Sequence, residues 1–136
     1  MPDEYAAAGS LRSKSILITG GSRGIGRATA ILAASRGWDV AFTYVRGASA
    51  ARDTLQQIEA AGAKGLCIQG DVGSEADVIR NFDSAAQAFG GLDGVVINAG
   101  VVAPATTLAD MSVERLETMF RTNVLGTYLC AREAVR

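Results

Sequence analysis

Histidine is missing from all 136 residues. Without an imidazole the chain cannot hold a Ser-His-Asp hydrolase site and lacks the commonest zinc ligand, so no metal site is expected. Cysteine is scarce: Cys67 and Cys130 are too few to staple a fold, and each sits in an apolar segment, as buried free thiols of a reducing compartment do. With two prolines, 49% hydrophobic and 20% charged residues, the composition is that of one ordinary globular domain. A net charge of −1 argues against nucleic acid or an anionic membrane as the main partner. No apolar run approaches the roughly 18 residues a membrane span requires. Met1 to Lys14 is small and polar without the apolar stretch of a secretory signal, so the chain reads as cytoplasmic. Residues 1–13 read as a mobile tail, and 14–136 as part of one domain.

The most informative segment present is Thr19-Gly20-Gly21-Ser22-Arg23-Gly24-Ile25-Gly26. It follows the apolar run Ser15-Ile16-Leu17-Ile18 and opens a helical pattern. A buried strand that turns through spaced glycines into a helix presents bare backbone N–H groups to an anion, and the helix dipole adds to their pull. The spacing G-x-x-x-G-x-G differs from G-x-G-x-x-G and from G-x-x-x-x-G-K-[ST], and no Lys follows the last glycine, so a nucleotide is expected but ATP hydrolysis is not.

Four apolar runs, about Ser15–Thr19, Asp39–Tyr44, Gly65–Gln69 and Gly94–Asn98, alternate with helical patterns near Gly24–Arg36, Ala48–Ala61 and Ser74–Phe89 and from Ser112 onward. Ser74 with Asp77 resembles a capping box and Ser112 an N-cap. Near-continuous apolar strands alternating with helices predict a parallel sheet covered on both faces, with right-handed crossovers. The strand Val95-Val96-Ile97 would keep one bare edge and the last helix shows no stop signal, so the residues read as the N-terminal half of a longer protein.

After the second strand, Phe42-Thr43-Tyr44-Val45-Arg46 lacks the acid that grips a ribose 2′-hydroxyl, while Arg23 and Arg46 offer guanidinium groups for a 2′-phosphate. That pattern favours NADP(H) over NAD(H), with NAD(H) still possible, and disfavours an S-adenosylmethionine methyltransferase. Asp71, in Gly70-Asp71-Val72, faces the ligand crevice of an open α/β sheet and suits an adenine amino group; turn chemistry before Gly73-Ser74 is the other reading. Asn98-Ala99-Gly100 lets the backbone pass close to a flat ligand, with Asn98 free to tie strand ends together. In the last helix a 100° period puts Leu116, Phe120, Asn123, Thr127, Ala131 and Ala134 on one inward stripe. Asn123 is then a core-facing amide that needs partners or takes part in chemistry. Leu125 and Leu129, with Tyr128, form a second strip suited to another subunit.

Four motifs in order, Thr19-Gly20-x-x-x-Gly24-x-Gly26, Gly70-Asp71-Val72, Asn98-Ala99-Gly100 and Asn123-Val124-x-Gly126, make residues from about Lys14 to Arg136 resemble the short-chain dehydrogenase/reductase family. The resemblance implies an α/β fold, a Rossmann-type doubly wound parallel sheet of order 3-2-1-4 in this half, and NAD(P)-dependent interconversion of a small alcohol and a carbonyl compound. It implies that Gly20, Gly21, Ser22, Arg23, Gly24, Ile25 and Gly26 cradle the coenzyme's phosphates, that Tyr44 and Arg46 border its 2′-phosphate, that Asp71 and Val72 contact the adenine, and that Asn98, Ala99 and Gly100 lie along the adenosine. Asn123 matches the family's catalytic asparagine, which holds a relay water. A homodimer or homotetramer through the last helix is also implied. The family's catalytic Ser and Tyr-x-x-x-Lys have no match here. Tyr128 and Arg132 share the spacing, but an arginine lacks the tunable ammonium and the helix is the wrong one. These 136 residues alone are therefore expected to be inert, and a non-catalytic nucleotide-binding scaffold is the alternative.

Overall fold

The computed structural model describes residues 12–136; the tail expected over 1–13 lies outside them except for Arg12 and Ser13. The elements are β1 (Ser15–Ile18), α1 (Gly24–Ser35), β2 (Asp39–Tyr44), α2 (Ala48–Ala60), β3 (Gly65–Gln69), α3 (Glu75–Phe89), β4 (Gly94–Val96), α4 (Val113–Phe120) and α5 (Gly126–Ala134). A 3₁₀ turn over Leu108–Asp110 precedes α4, and a π-helical turn over Arg121–Leu125 joins α4 to α5. All pairings are parallel and the order is β3-β2-β1-β4, the doubly wound Rossmann-type arrangement.

Neighbouring strand residues point to opposite faces, and β1 shows it plainly. Leu17 joins Ala41, Val78, Phe82 and Cys130 on one side, while Ile18 joins Ala30, Val40, Phe42 and Ile58 on the other. Helices α1 and α2 therefore cover one face, and α3 with α5 the other. At the opposite end of the sheet from the glycine turn, Arg12 forks onto the Asp93 carboxylate at 2.9 and 3.0 Å, and Asp93 also accepts the Ser15 N–H at 2.8 Å.

β1 and β4 each stop short of the expected Thr19 and Asn98. The Thr19 hydroxyl accepts the N–H groups of Asn98 and Ala99, both at 3.0 Å, so side-chain bonds replace the ladder where the two strands part. Ser74 and Ser112 cap α3 and α4 through the N–H groups of Asp77 and Arg115.

The inward stripe expected of the last helix is corrected by the π turn. An extra residue per turn rotates everything after Phe120. Thr127 and Ala134 lie outside, whereas Gly126 and Cys130 are buried; Phe120, which precedes the π turn, is itself 62% exposed. Leu129, expected on an outward strip with Leu125, packs against the core beside Cys130. Gly126 brings α5 against the β3–α3 turn, since a Cβ there would stand 2.7 Å from Val72 Cγ2.

Candidate functional site

The glycine turn is pinned from both sides. From β2, Thr43 accepts the Gly20 N–H on its hydroxyl at 3.2 Å and the Gly21 N–H on its carbonyl at 2.9 Å. From the end of β4, Asn98 Nδ2 donates to the carbonyls of Thr19 and Gly20 at 3.1 and 3.0 Å. Packing this close leaves no room for side chains at Gly21, where a Cβ would run into Phe42, or at Gly26, where it would strike the Gly20 carbonyl and the Asn98 amide. Gly24 meets nothing within 4 Å; its need is conformational, with φ at +58°.

Helix α1 begins without a cap. Arg23 stands at the N-cap with no capping bond, and the first turn holds no acid. Both α3 and α4 carry a serine cap and an acid in the first turn, whereas α2, behind Gly47, has neither. The N–H groups of Ser22, Arg23, Gly24, Ile25 and Gly26 have no partner among the described residues. Five bare amides and an arginine at one helix N-terminus supply the donors and the charge that the diphosphate of a dinucleotide requires.

Above it a cleft of about 480 Å³ follows the carboxyl ends of the strands. It brings together Gly20, Ser22 and Arg23 from the turn, Tyr44 at the end of β2 and Arg46 just past it, Asp71 and Val72 after β3, and Asn98, Ala99 and Gly100 after β4. Gly21, Gly24, Ile25, Gly26 and Asn123 are not in its lining: Gly21 and Gly26 are consumed by packing, and Ile25 is 79% exposed on α1. Thr43, Val45, Gly70, Thr118 and Thr122 also line the cleft and were not anticipated; Val101, which follows Gly100, lines it as well. Thr43, Val45 and Gly70 adjoin anticipated residues and carry no signal of their own. Thr118 comes from α4 and Thr122 from the π turn, and neither carries a signal that sets it apart in the sequence.

At the far end, both readings of Asp71 hold geometrically. Its Oδ1 accepts the Gly73 N–H at 2.8 Å, an Asx turn, yet the residue still lines the cleft. The Val72 N–H beside it has no partner among the described residues. Arg23 and Arg46 are exposed at the cleft and form no ion pair among the described residues. Asn123 sits behind the rim, where its amide is bonded at both ends to Val101. Tyr128 is 73% exposed and Arg132 is engaged by Glu75 at 2.6 Å, so the two form no proton-transfer pair. Cys130 is buried, which pushes its thiol up to about 11 and leaves it protonated and unreactive. Among the described residues no group of three metal-binding side chains gathers, and no helix is long and apolar enough to cross a membrane.

The family model for short chain dehydrogenases matches residues 14–136. An uncharacterized oxidoreductase of Escherichia coli, YgfF, is 41% identical over 88% of this chain and 49% of its own length. An NADPH-dependent aldehyde reductase of Arabidopsis thaliana is 35% identical over 98% of this chain and 48% of its own. The crystal structure of a short chain dehydrogenase from Burkholderia cenocepacia, in complex with NADP, superposes with a TM-score of 0.86 at 39% identity, over 90% of this chain and 50% of that one. The chain thus spans about half the length of the relatives it matches. Sheet order, glycine turn and these likenesses coincide over nearly all the described residues, and the chain belongs to the short-chain dehydrogenase family.

Proposed function

We propose that this chain is the coenzyme-binding part of an oxidoreductase that moves a hydride between NADP(H) and a small alcohol or carbonyl compound, with NADP(H) preferred over NAD(H). The observation that carries the reading is the uncapped start of α1, with Arg23 at its head and Arg46 across the cleft where an NAD-type site has an acid. Bare amides from Ser22 to Gly26 would hold the diphosphate, and the two guanidinium groups the 2′-phosphate. Tyr44 would border the adenosine. Asp71 would accept from the adenine amino group while the Val72 N–H donates to the ring, and Asn98 to Gly100 would lie under the sugar. When bound, the nicotinamide supplies the redox chemistry.

Asn123 spends one lone pair and one N–H on Val101. A carboxamide has one further acceptor site and one further donor, and we assign these to a relay water. The loop from Val101 to Thr107 would face the substrate. The NADP complex of the Burkholderia relative and the NADPH dependence in the Arabidopsis relative's name support the reading. We further propose that the exposed apolar face of Phe120, Val124, Leu125 and Tyr128 packs against a second copy of the protein; a purely monomeric mass by light scattering at micromolar concentration would oppose that.

The test is a titration of the full polypeptide with NADPH and NADH, followed by nicotinamide fluorescence. NADPH is expected to bind about tenfold more tightly, one charge-assisted contact's worth. Equal affinity overturns the preference, and no affinity for either overturns the reading. A non-catalytic scaffold is distinguished by binding NADPH without oxidising it in the presence of any of a panel of small aldehydes and ketones.

A further inference from the structure

We infer that helix α3 presets the adenine end of the cleft through three side chains, Asp77, Arg80 and Asn81, that grip the end of β3 from behind; the inference rests on the coenzyme reading above. Three consecutive residues are each met by a different one of them, Gln69 and Asp71 through hydrogen bonds and Gly70 through packing. Arg80 Nη2 donates to the Gln69 carbonyl at 3.1 Å. The Asn81 amide occupies the space of the side chain Gly70 lacks: a Cβ there would lie 2.5 Å from Nδ2 and 2.8 Å from Oδ1. Asp77 Oδ2 accepts the Asp71 N–H at 2.9 Å, and its Oδ1 accepts from Arg80 Nη1 at 2.8 Å, which joins two of the three into one unit.

Asn81 is the telling member. It is 2% exposed, and its Oδ1 is buried with no donor among the described residues. An acceptor without a donor is destabilising, and an aliphatic side chain would serve the core better. The amide nevertheless packs directly against Gly70, which lines the cleft. Held this way, Asp71 and Val72 cannot recede when a base docks, so a carboxylate oxygen and an N–H stand at a fixed spacing. Adenine matches that pair with its exocyclic amine and an unprotonated ring nitrogen. Hypoxanthine presents a carbonyl and a ring N–H in those places and mismatches both contacts. Asp77, Arg80 and Asn81 are thus positioning residues that set discrimination for the adenine base, and they need not touch it.

The full polypeptide and its Arg80→Ala and Asn81→Leu variants are titrated with NADPH and with nicotinamide hypoxanthine dinucleotide phosphate, following nicotinamide fluorescence. The unaltered protein is expected to favour the adenine coenzyme, and each variant to lose at least about threefold of that preference, a fraction of one hydrogen bond's discrimination. Asn81→Leu should do so while melting at a higher temperature, an outcome that simple loss of structure cannot produce. Arg80 is exposed, so its variant keeps the test open should the core variant fold poorly. A preference unchanged within twofold in the variants that fold overturns the inference while leaving the coenzyme reading intact. Absence of NADPH binding by the unaltered protein overturns both.

Discussion

Asn123 and Val101 are joined by two hydrogen bonds running in opposite directions, the amide oxygen accepting the Val101 N–H and the amide nitrogen donating to its carbonyl, each at 2.8 Å. The clasp ties the π turn of the last helix to the loop leaving β4, beside Gly100, which stands in the cleft. Asn123→Ala removes both bonds and is expected to cost about 1–2 kcal/mol in urea unfolding. Asn123→Asp keeps the acceptor but sets an anion against the Val101 carbonyl. It should lose more at neutral pH and recover part of the loss near pH 4, where the protonated carboxyl donates again.

Arg23 and Arg46 flank the proposed 2′-phosphate site without ion-pair partners among the described residues. Replacing either by Ala should weaken NADPH about threefold, the two changes together about tenfold, and NADH little. Raising salt from about 0.01 to 0.5 M should erode the NADPH advantage of the unaltered protein. Isothermal titration with both coenzymes reads the difference, and an unchanged NADPH-to-NADH ratio would remove the arginines from the site.

Two glycines of one turn are constrained for different reasons, which separates two kinds of damage. Gly24→Ala meets open space and suffers only from φ at +58°, an expected cost of about 1–2 kcal/mol. Gly26→Ala drives a methyl into the Gly20 carbonyl and Asn98, so it should cost about 2–3 kcal/mol and also displace the turn and abolish coenzyme binding. Urea midpoints and NADPH titrations on the two variants check the ranking.

The Ser15 N–H, and then the Arg12 guanidinium, hold the Asp93 carboxyl below its ordinary range; the Asp71 N–H does the same for Asp77. A pKa lower in the folded than in the unfolded chain adds stability above the ordinary carboxylate value, and that stability is lost as pH falls through the folded value. Melting temperatures should therefore fall below about pH 4. Asp93→Asn should melt lower at pH 7 and show a shallower drop into acid; an identical drop would clear Asp93 of the effect.

The parallel sheet and most element bounds were legible because β1, β2 and β3 are uninterrupted apolar runs separated by clear helical stretches, and because Ser74 and Ser112 announce their helices; the strand order came with the family resemblance. The glycine turn and the clustering of Arg46, Asp71 and Asn98 at one sheet edge follow from parallel topology alone. What escaped was set by tertiary contacts. Thr43 pins Gly20 and Gly21, yet a threonine in a strand looks like any other. The π turn is invisible to a 100° period, so Leu129 was placed outward although it packs against the core; Phe120, ahead of that turn, was placed inward although it is exposed. Asn81 gave no warning, since an asparagine amid helix formers reads as surface until Gly70 is brought against it.

The open amides at the head of α1 have a practical corollary for anyone weighing the protein's ruggedness. Sulfate, inorganic phosphate or pyrophosphate is expected to settle there and shift the folding equilibrium by mass action, which melting curves with and without each anion would show. A thermogram recorded in phosphate buffer will overstate the intrinsic resistance of the empty protein, and one recorded in chloride will not.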